Sequence, residues 1–352
     1  MKVSQLCFFF VAFLPTVKIF AMPSTLSRLC GRHLIACYLL CFALDFLLLQ
    51  IILITAKGKS AIPKLLKNKL TLIPQKVILF LYAIYFLLKG IFFSAEQKSY
   101  IELSLYQTPT GLLTFLPFLI IAVYLSVKSF RTIGRVADIT AIWVIIAVLI
   151  LVAISLKSGD YKAFLPLVID NPNGFYRAFK ACLVWGGDCL YLLFMMKGFN
   201  YQKGTRLKLS IAYLIGGLLT TAVMVVFYAI FTYLAPQKSF AFTEMPVYSV
   251  YISNSARFDY IAIFVILFAS IIGAVLPFYF SAYALNGVFN FKHKLIPAVI
   301  PPLIAFIVFA IFQNKLSPLL SFILKIFPYF ALILGYLLPF LSPLLRKVSY
   351  DL

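Results

Sequence analysis

GFYRAFKACLVWGGDCLYLLFMM, residues 174–196, is an apolar run of membrane length with a Gly-Gly-Asp step near its centre. A helix crossing a hydrocarbon core of about 30 Å needs about 20 predominantly apolar residues. Gly186 and Gly187 predict an interruption of that helix. The carboxylate of Asp188 beside them is costly at bilayer depth, and such groups usually serve a function. A broken helix with a charge at its break is how secondary transporters build a site at the membrane midplane.

The rest of the chain fits a lipid solvent. Of its 352 residues, 63% are hydrophobic and only 12% charged, against about 25% charged in a soluble domain. The mean hydropathy is +1.03. These values predict a polytopic helical membrane protein forming a single transmembrane domain over residues 1–352. The apolar run beginning at Leu6 has no small-residue cleavage site before Pro23 and Arg28, so it reads as a first span and not as a leader. The net charge of +21 does not imply nucleic acid, because no basic cluster is interleaved with aromatics on a soluble module. The basic residues fall in short loops instead. The densest set, Lys57, Lys59, Lys64, Lys67 and Lys69, reads as a cytoplasmic loop near anionic headgroups. Cys7, Cys30, Cys37, Cys41, Cys182 and Cys189 lie mostly in apolar runs, where cysteine acts as a small hydrophobe. With only His33 and His293 beside them, no metal site is expected. No nucleotide loop or catalytic triad is present, so neither a cofactor nor an enzymatic activity is expected.

Ten spans are predicted, at 5–25, 33–56, 76–97, 111–128, 137–156, 174–198, 208–234, 258–289, 292–313 and 317–345. With the N-terminus inside, the inner segments hold 18 Lys and Arg and the outer segments 10. The outer loops also take Glu96, Glu102, Asp160, Asp170, Glu244 and Asp259. The positive-inside rule therefore puts both termini in the cytoplasm. Two longer outer loops, 157–173 and 236–257, are read as lids or partner surfaces, or as plain connectors.

Ten spans divide into five and five, residues 1–156 and 174–345, with inverted topology. Both opening spans look interrupted, the first at Pro15-Thr16 and the sixth at Trp185-Gly186-Gly187-Asp188. Interruptions at corresponding positions of two halves point to a transporter binding site. The expected fold is thus an all-α, LeuT-like 5+5 inverted repeat with broken helices 1 and 6. A simple proline kink is the alternative for the first span.

Lys18, Asp45, Lys89 and Asp188 fall near mid-depth of their spans. An isolated charge there costs about 2.5–3.5 kcal/mol on insertion scales, so the four are expected to cancel. Lys18–Asp188 is the natural pair if spans 1 and 6 face each other, and Asp45–Lys89 is the second. Lys18 and Asp188 then form the floor or wall of a ligand pocket, or a purely structural ion pair. The unwound backbone at Gly186 and Gly187 needs partners. The half-helix after Asp188 turns its positive end to the midplane and suits a carboxylate, while Asp188 suits an ammonium. Both features favour an amino acid. If Lys18 already neutralises Asp188, a nucleoside or sugar becomes the better ligand. Thr16 at the first break, Trp185 beside the second, Tyr85 on the same helix face as Lys89, and Ser270 on span 8 complete the candidate lining, against the plainer reading of packing.

Several short motifs, in order, resemble one family. They are Ser4-Gln5-Leu6 followed by Phe8-Phe9-Phe10, Pro23-Ser24 with Cys30-Gly31-Arg32, Arg135-Val136-Ala137-Asp138, Asp160 through Leu165-Pro166, Trp185-Gly186-Gly187-Asp188, and Tyr283-Ala284-Leu285. Together the chain resembles the permease-like B subunit of spore germinant receptors, a branch of the amino acid–polyamine–organocation superfamily. The resemblance implies a membrane subunit that senses a small-molecule germinant. It also implies a larger A-type membrane subunit, a C-type lipoprotein subunit and the spore inner membrane. Two departures stand out. Thr16 and Lys18 occupy positions where that family usually has glycines, and Asp188 stands for its glutamate. A secondary amino-acid or polyamine transporter of the same fold is the second reading, and a cell-envelope polysaccharide polymerase the third.

Overall fold

The computed structural model describes residues 1–56, 72–106, 111–112, 114–165, 169–248, 259–312 and 316–340. The basic loop from Lys57 to Lys69, Pro166, the Tyr/Ser run ending at Arg257, and the chain after residue 340 lie outside them. Helices dominate throughout: α1 Val3–Lys18, α2 Met22–Cys30, α3 Leu34–Ala56, α4 Leu72–Tyr100, α5 Phe115–Val127, α6 Phe130–Ser155, α7 Pro172–Cys182, α8 Cys189–Met195, α9 Thr205–Phe231, α10 Ala241–Val247, α11 Asp259–Phe289, α12 Leu295–Ile311 and α13 Leu316–Phe330. Two of them run on into wider π-type turns, α4 through Ile101–Tyr106 and α13 through Ala331–Leu337.

Six helical stretches among the described residues are long and apolar enough to cross a membrane: Met22–Ile54, Lys76–Leu103, Phe130–Ser158, Thr205–Gln237, Tyr260–Phe289 and Leu316–Phe340. Three shorter apolar helices, α1, α5 and α12, accompany them. The protein is an integral, multi-pass membrane protein. Its outer surface carries large apolar side chains in rows, such as Ile139, Ile142, Trp143 and Ile146 on α6, which a bilayer covers.

The core is built on α1 and on the region around α8. Residues 9–20 and 181–196 are buried without exception. A helix that is apolar all round belongs in a bundle centre. Helix α1 packs against α6, α9 and α11, and α11 in turn runs along α4.

Two local corrections follow from proline chemistry and helix length. The interruption of the first span falls at residues 19–21, after Lys18, and not at Pro15-Thr16. Pro15 is absorbed inside α1, whose end is closed by the Ile19 N–H donating to Pro15 O at 3.0 Å. Pro23 sets the break instead. Its ring would clash with the carbonyl of Ile19 in a continuous helix, whereas in the first turn of α2 its missing N–H costs nothing. The second correction concerns α4, which continues past the predicted end at residue 97. Glu96 and Lys98, assigned to an outer loop by sequence, are therefore buried within the helix.

Candidate functional site

Helix α7 ends at Cys182 and α8 begins at Cys189. Between them the chain tightens and then unwinds. Val184 N–H donates to Ala181 O, and the Trp185 and Gly186 N–H groups both donate to Cys182 O. Gly187 takes φ +73°, a left-handed conformation that only glycine adopts cheaply. Both glycines are also needed for space. A Cβ on Gly186 would lie 2.4 Å from Tyr336 Oη, and one on Gly187 would lie 2.8 Å from Tyr85 Oη.

The freed backbone groups are met by charged side chains from other helices. The Gly187 N–H donates to Asp45 Oδ1 at 2.9 Å, and Lys89 Nζ donates to Gly186 O at 2.6 Å. Lys89 Nζ also donates to Asp188 Oδ1 at 3.1 Å. On the other side of the same carboxylate, Lys18 Nζ lies 2.8 Å from Asp188 Oδ2 and 3.9 Å from Asp45 Oδ2. Tyr336 Oη closes the set by donating to Asp45 Oδ1 at 2.7 Å. All four charged residues are at most 4% exposed. Two ammoniums and two carboxylates leave the cluster neutral. That balance matters, because the effective cost of burying each ion is several kcal/mol and only close, complementary contacts offset it. Helices α1, α3 and α4 thus converge on one unwound segment. The aromatic rings of Tyr191 and Phe93, 5.3 and 5.5 Å from Lys89 Nζ, complete its surroundings.

The partition differs from two separate pairs. Lys89 turns to Asp188 and Gly186 O, not to Asp45, because Asp45 is already engaged by the Gly187 N–H and the Tyr336 hydroxyl. The other candidates are distributed unequally. Trp185 is fully buried, stacks edge-on against Phe92 and donates its indole N–H to Glu96 Oε2 at 3.2 Å. The Tyr85 hydroxyl is buried against Gly187 without a hydrogen-bond partner. Thr16 is not part of the cluster, since its hydroxyl donates back within α1 to Ala12 O or Phe13 O. Ser270 contacts Gln97 Oε1 and Leu267 O. Two participants were missed. Tyr336 gives no signal among 21 tyrosines. Glu96 had one, an acid at the end of an apolar run, but was assigned to a loop.

The space beside Asp188 is small. A cavity of about 10 Å³, lined by Phe13, Val17, Phe93, Asp188, Tyr191 and Gly273 among others, has room for one water molecule at most.

A buried helix break fed by charges from three neighbours, inside an all-helical multi-pass bundle, defines a protein of the transporter-fold class. Solved structures agree on the fold. A point mutant of the manganese transporter of Eremococcus coleocola matches with a TM-score of 0.58 at 12% identity, covering 99% of this chain and 85% of the transporter. The same transporter bound to an aromatic bis-isothiourea compound matches with a TM-score of 0.57 at 11% identity, covering 97% and 75%. This likeness is one of LeuT-like architecture. A family model described as spore germination protein matches residues 31–334, so the chain belongs to that family. Asp45, Lys89 and Asp188 lie inside the matched region, and Lys18 precedes it. Comparison with curated proteins gives no match.

Proposed function

We propose that this chain is the permease-like, germinant-binding subunit of a spore germinant receptor. The observation that carries the reading is the unwound segment at residues 183–188, whose bare N–H and C=O groups are held by Asp45 and Lys89 in a buried, neutral cluster. Broken backbone of this kind, set among charges within a bundle, supports a ligand site. Family membership supports the germination role.

In this reading the spans form a 5+5 inverted repeat, residues 1–156 and 174–345, with both termini cytoplasmic in the spore inner membrane. A-type and C-type subunits are its partners. The lysines hold the closed state. A germinant with an ammonium group, such as an amino acid, replaces one of them at Asp188. A nucleoside or sugar would instead hydrogen-bond to the cluster without displacing charge. Lys18, Lys89, Trp185, Gly186, Gly187 and Asp188 line the opened site, with Tyr85 at its edge. Thr16 and Ser270 join it only if the helices move. Binding shifts the receptor because ligand and lysine compete in one state and not the other.

A secondary transporter is the second reading, favoured by the shared fold. The manganese of the structural neighbours is not carried over, since a divalent cation would meet two ammoniums beside Asp188. A polysaccharide polymerase finds no support, because residues 186–188 are not continuous helix.

The test is thermal unfolding of the purified protein against amino acids, nucleosides and sugars, alone and with its A-type and C-type subunits. Asp188→Asn and the charge-balanced Lys18→Met/Asp188→Asn double variant serve as comparisons. A ligand at 100 times its Kd adds about 2.7 kcal/mol. A shift with one ligand, absent in both variants, is expected. A shift that survives in the double variant, or no shift in any preparation, would sink the site. Accumulation of labelled ligand in vesicles by this chain alone would establish transport.

A further inference from the structure

Helices α5 and α12 pack side by side at the edge of the bundle. Between them runs an apolar groove of about 680 Å³, lined by Leu116, Ile120, Val123, Leu303 and Phe306 among others. Ile120 and Leu303 are more than half exposed, so the groove opens onto the lipid-facing surface. Its size falls within the range of small-molecule sites.

The groove ends at Lys128. There it meets a second cavity, of about 280 Å³, with a different lining that includes Ser126, Ser129, Asn286 and Lys294. Val127 and Lys128 belong to both. Among the described residues, none that lines either space is acidic and neither lysine has an acidic partner. The Ser126 hydroxyl is buried without a hydrogen-bond partner. Ser129 and Phe130 open α6, and the Ser129 side chain makes no cap bond, so the positive end of a long helix adds to the field at this spot. An apolar channel leading into a cationic, hydrogen-bonding chamber has the shape and polarity of one amphiphile.

We propose that this composite site binds a single anionic phospholipid, with an acyl chain along α5 and α12 and the phosphate between Lys128 and Lys294. Two lysines with no acidic partner among the described residues, at the end of a lipid-facing groove, call for an anion that brings its own apolar tail. Basic pockets between membrane helices on the cytoplasmic side bind anionic headgroups in this way. Lys128 and Lys294 lie on the side that the loop charges assign to the cytoplasm. A free phosphate would fill the chamber and leave the groove unused.

The test is native mass spectrometry of the full chain, titrated with phosphatidylglycerol, phosphatidylcholine or glycerol phosphate. The wild type is expected to retain one phosphatidylglycerol in preference to phosphatidylcholine. Lys128→Ala and Lys294→Ala should each weaken retention about fivefold, from the field of one lysine near a membrane surface. Leu303→Trp, which fills the groove and leaves both lysines, should also reduce retention. Equal retention of both lipids, retention unchanged in the lysine variants, or glycerol phosphate binding as well as the lipid would overturn the proposal. So would a dimer in detergent that Leu303→Trp converts to monomer, since the groove would then be a contact between copies.

Discussion

The two helix interruptions lie within one buried core and are stabilised by opposite means. The break after α7 is held by charge: Asp45, Lys89 and Lys18 reach it from three helices and bind its backbone and Asp188 directly. The break after α1 is held by rings and by chain. Phe20 lies edge-on to Tyr100 and tilted against Phe242, with centroids 5.2 and 4.3 Å away, and Phe240 lies edge-on to Tyr100 at 5.2 Å. The Phe20 carbonyl accepts from the Ala241 N–H of α10 at 3.4 Å. Residues 236–257 were expected to be a lid, a partner surface or a connector, and part of that segment is α10, clamped onto the first break. Charges can be rearranged by an incoming charged ligand, whereas a ring cluster is insensitive to one. On the proposed reading the comparison separates a responsive break from a structural one, joined by Lys18, whose backbone ends α1 and whose ammonium pairs with Asp188.

The largest effect should come from Asp188→Ala. It leaves two buried ammoniums facing one remaining carboxylate, and breaking a buried pair costs about 3–5 kcal/mol. Loss of monodisperse protein in mild detergent is the expected outcome. Lys18→Met/Asp188→Asn removes one charge of each sign, so most of the loss should return. A single variant as stable as wild type would show that the cluster does not hold the break. Equal losses in single and double variants would show that charge balance is not its principle.

A middle-sized effect should follow Gly187→Ala. A non-glycine residue at positive φ costs about 1–2 kcal/mol, and overpacking against the Tyr85 hydroxyl adds about 1–3 kcal/mol. The two parts are separable. Gly187→Ala/Tyr85→Phe removes the oxygen and should recover the second part only, as read from the unfolding midpoint. Full recovery would mean that the backbone at residue 187 is not strained by a side chain. No recovery would remove Tyr85 from the wall of the break.

How much of this was legible follows from where each signal resides. Gly186-Gly187-Asp188 announced its own break because the information is local: two glycines in an apolar run have few other uses. The four intramembrane charges were legible for a related reason, since each is expensive alone. Their partition was not, because it depends on which carboxylate oxygen the Gly187 N–H claims first, a tertiary fact. Pro15 drew attention from Pro23, although only the second cannot continue a helix that must also start another. Tyr336 reaches Asp45 across a separation of 291 residues, and nothing near it marks it out.

The smallest effect sharpens the contrast from the other side. The Ser24 hydroxyl lies 2.9 Å from Ala21 O and 3.0 Å from Ser239 O, joining the first break to the segment that leads into α10. Its single proton is shared between two neutral carbonyls, so Ser24→Ala should cost only about 0.5–1.5 kcal/mol. The consequence should also be local. Hydrogen exchange at Ala241, whose N–H reaches Phe20 O across the same junction, should quicken, while exchange at Gly187 and Leu190 stays unchanged. If exchange at Gly187 quickens as well, the two breaks open as one unit through Lys18, and the division into a responsive and a structural break fails. If only α10 loosens, the aromatic clamp is an independent latch, and the break where the charges converge holds without it.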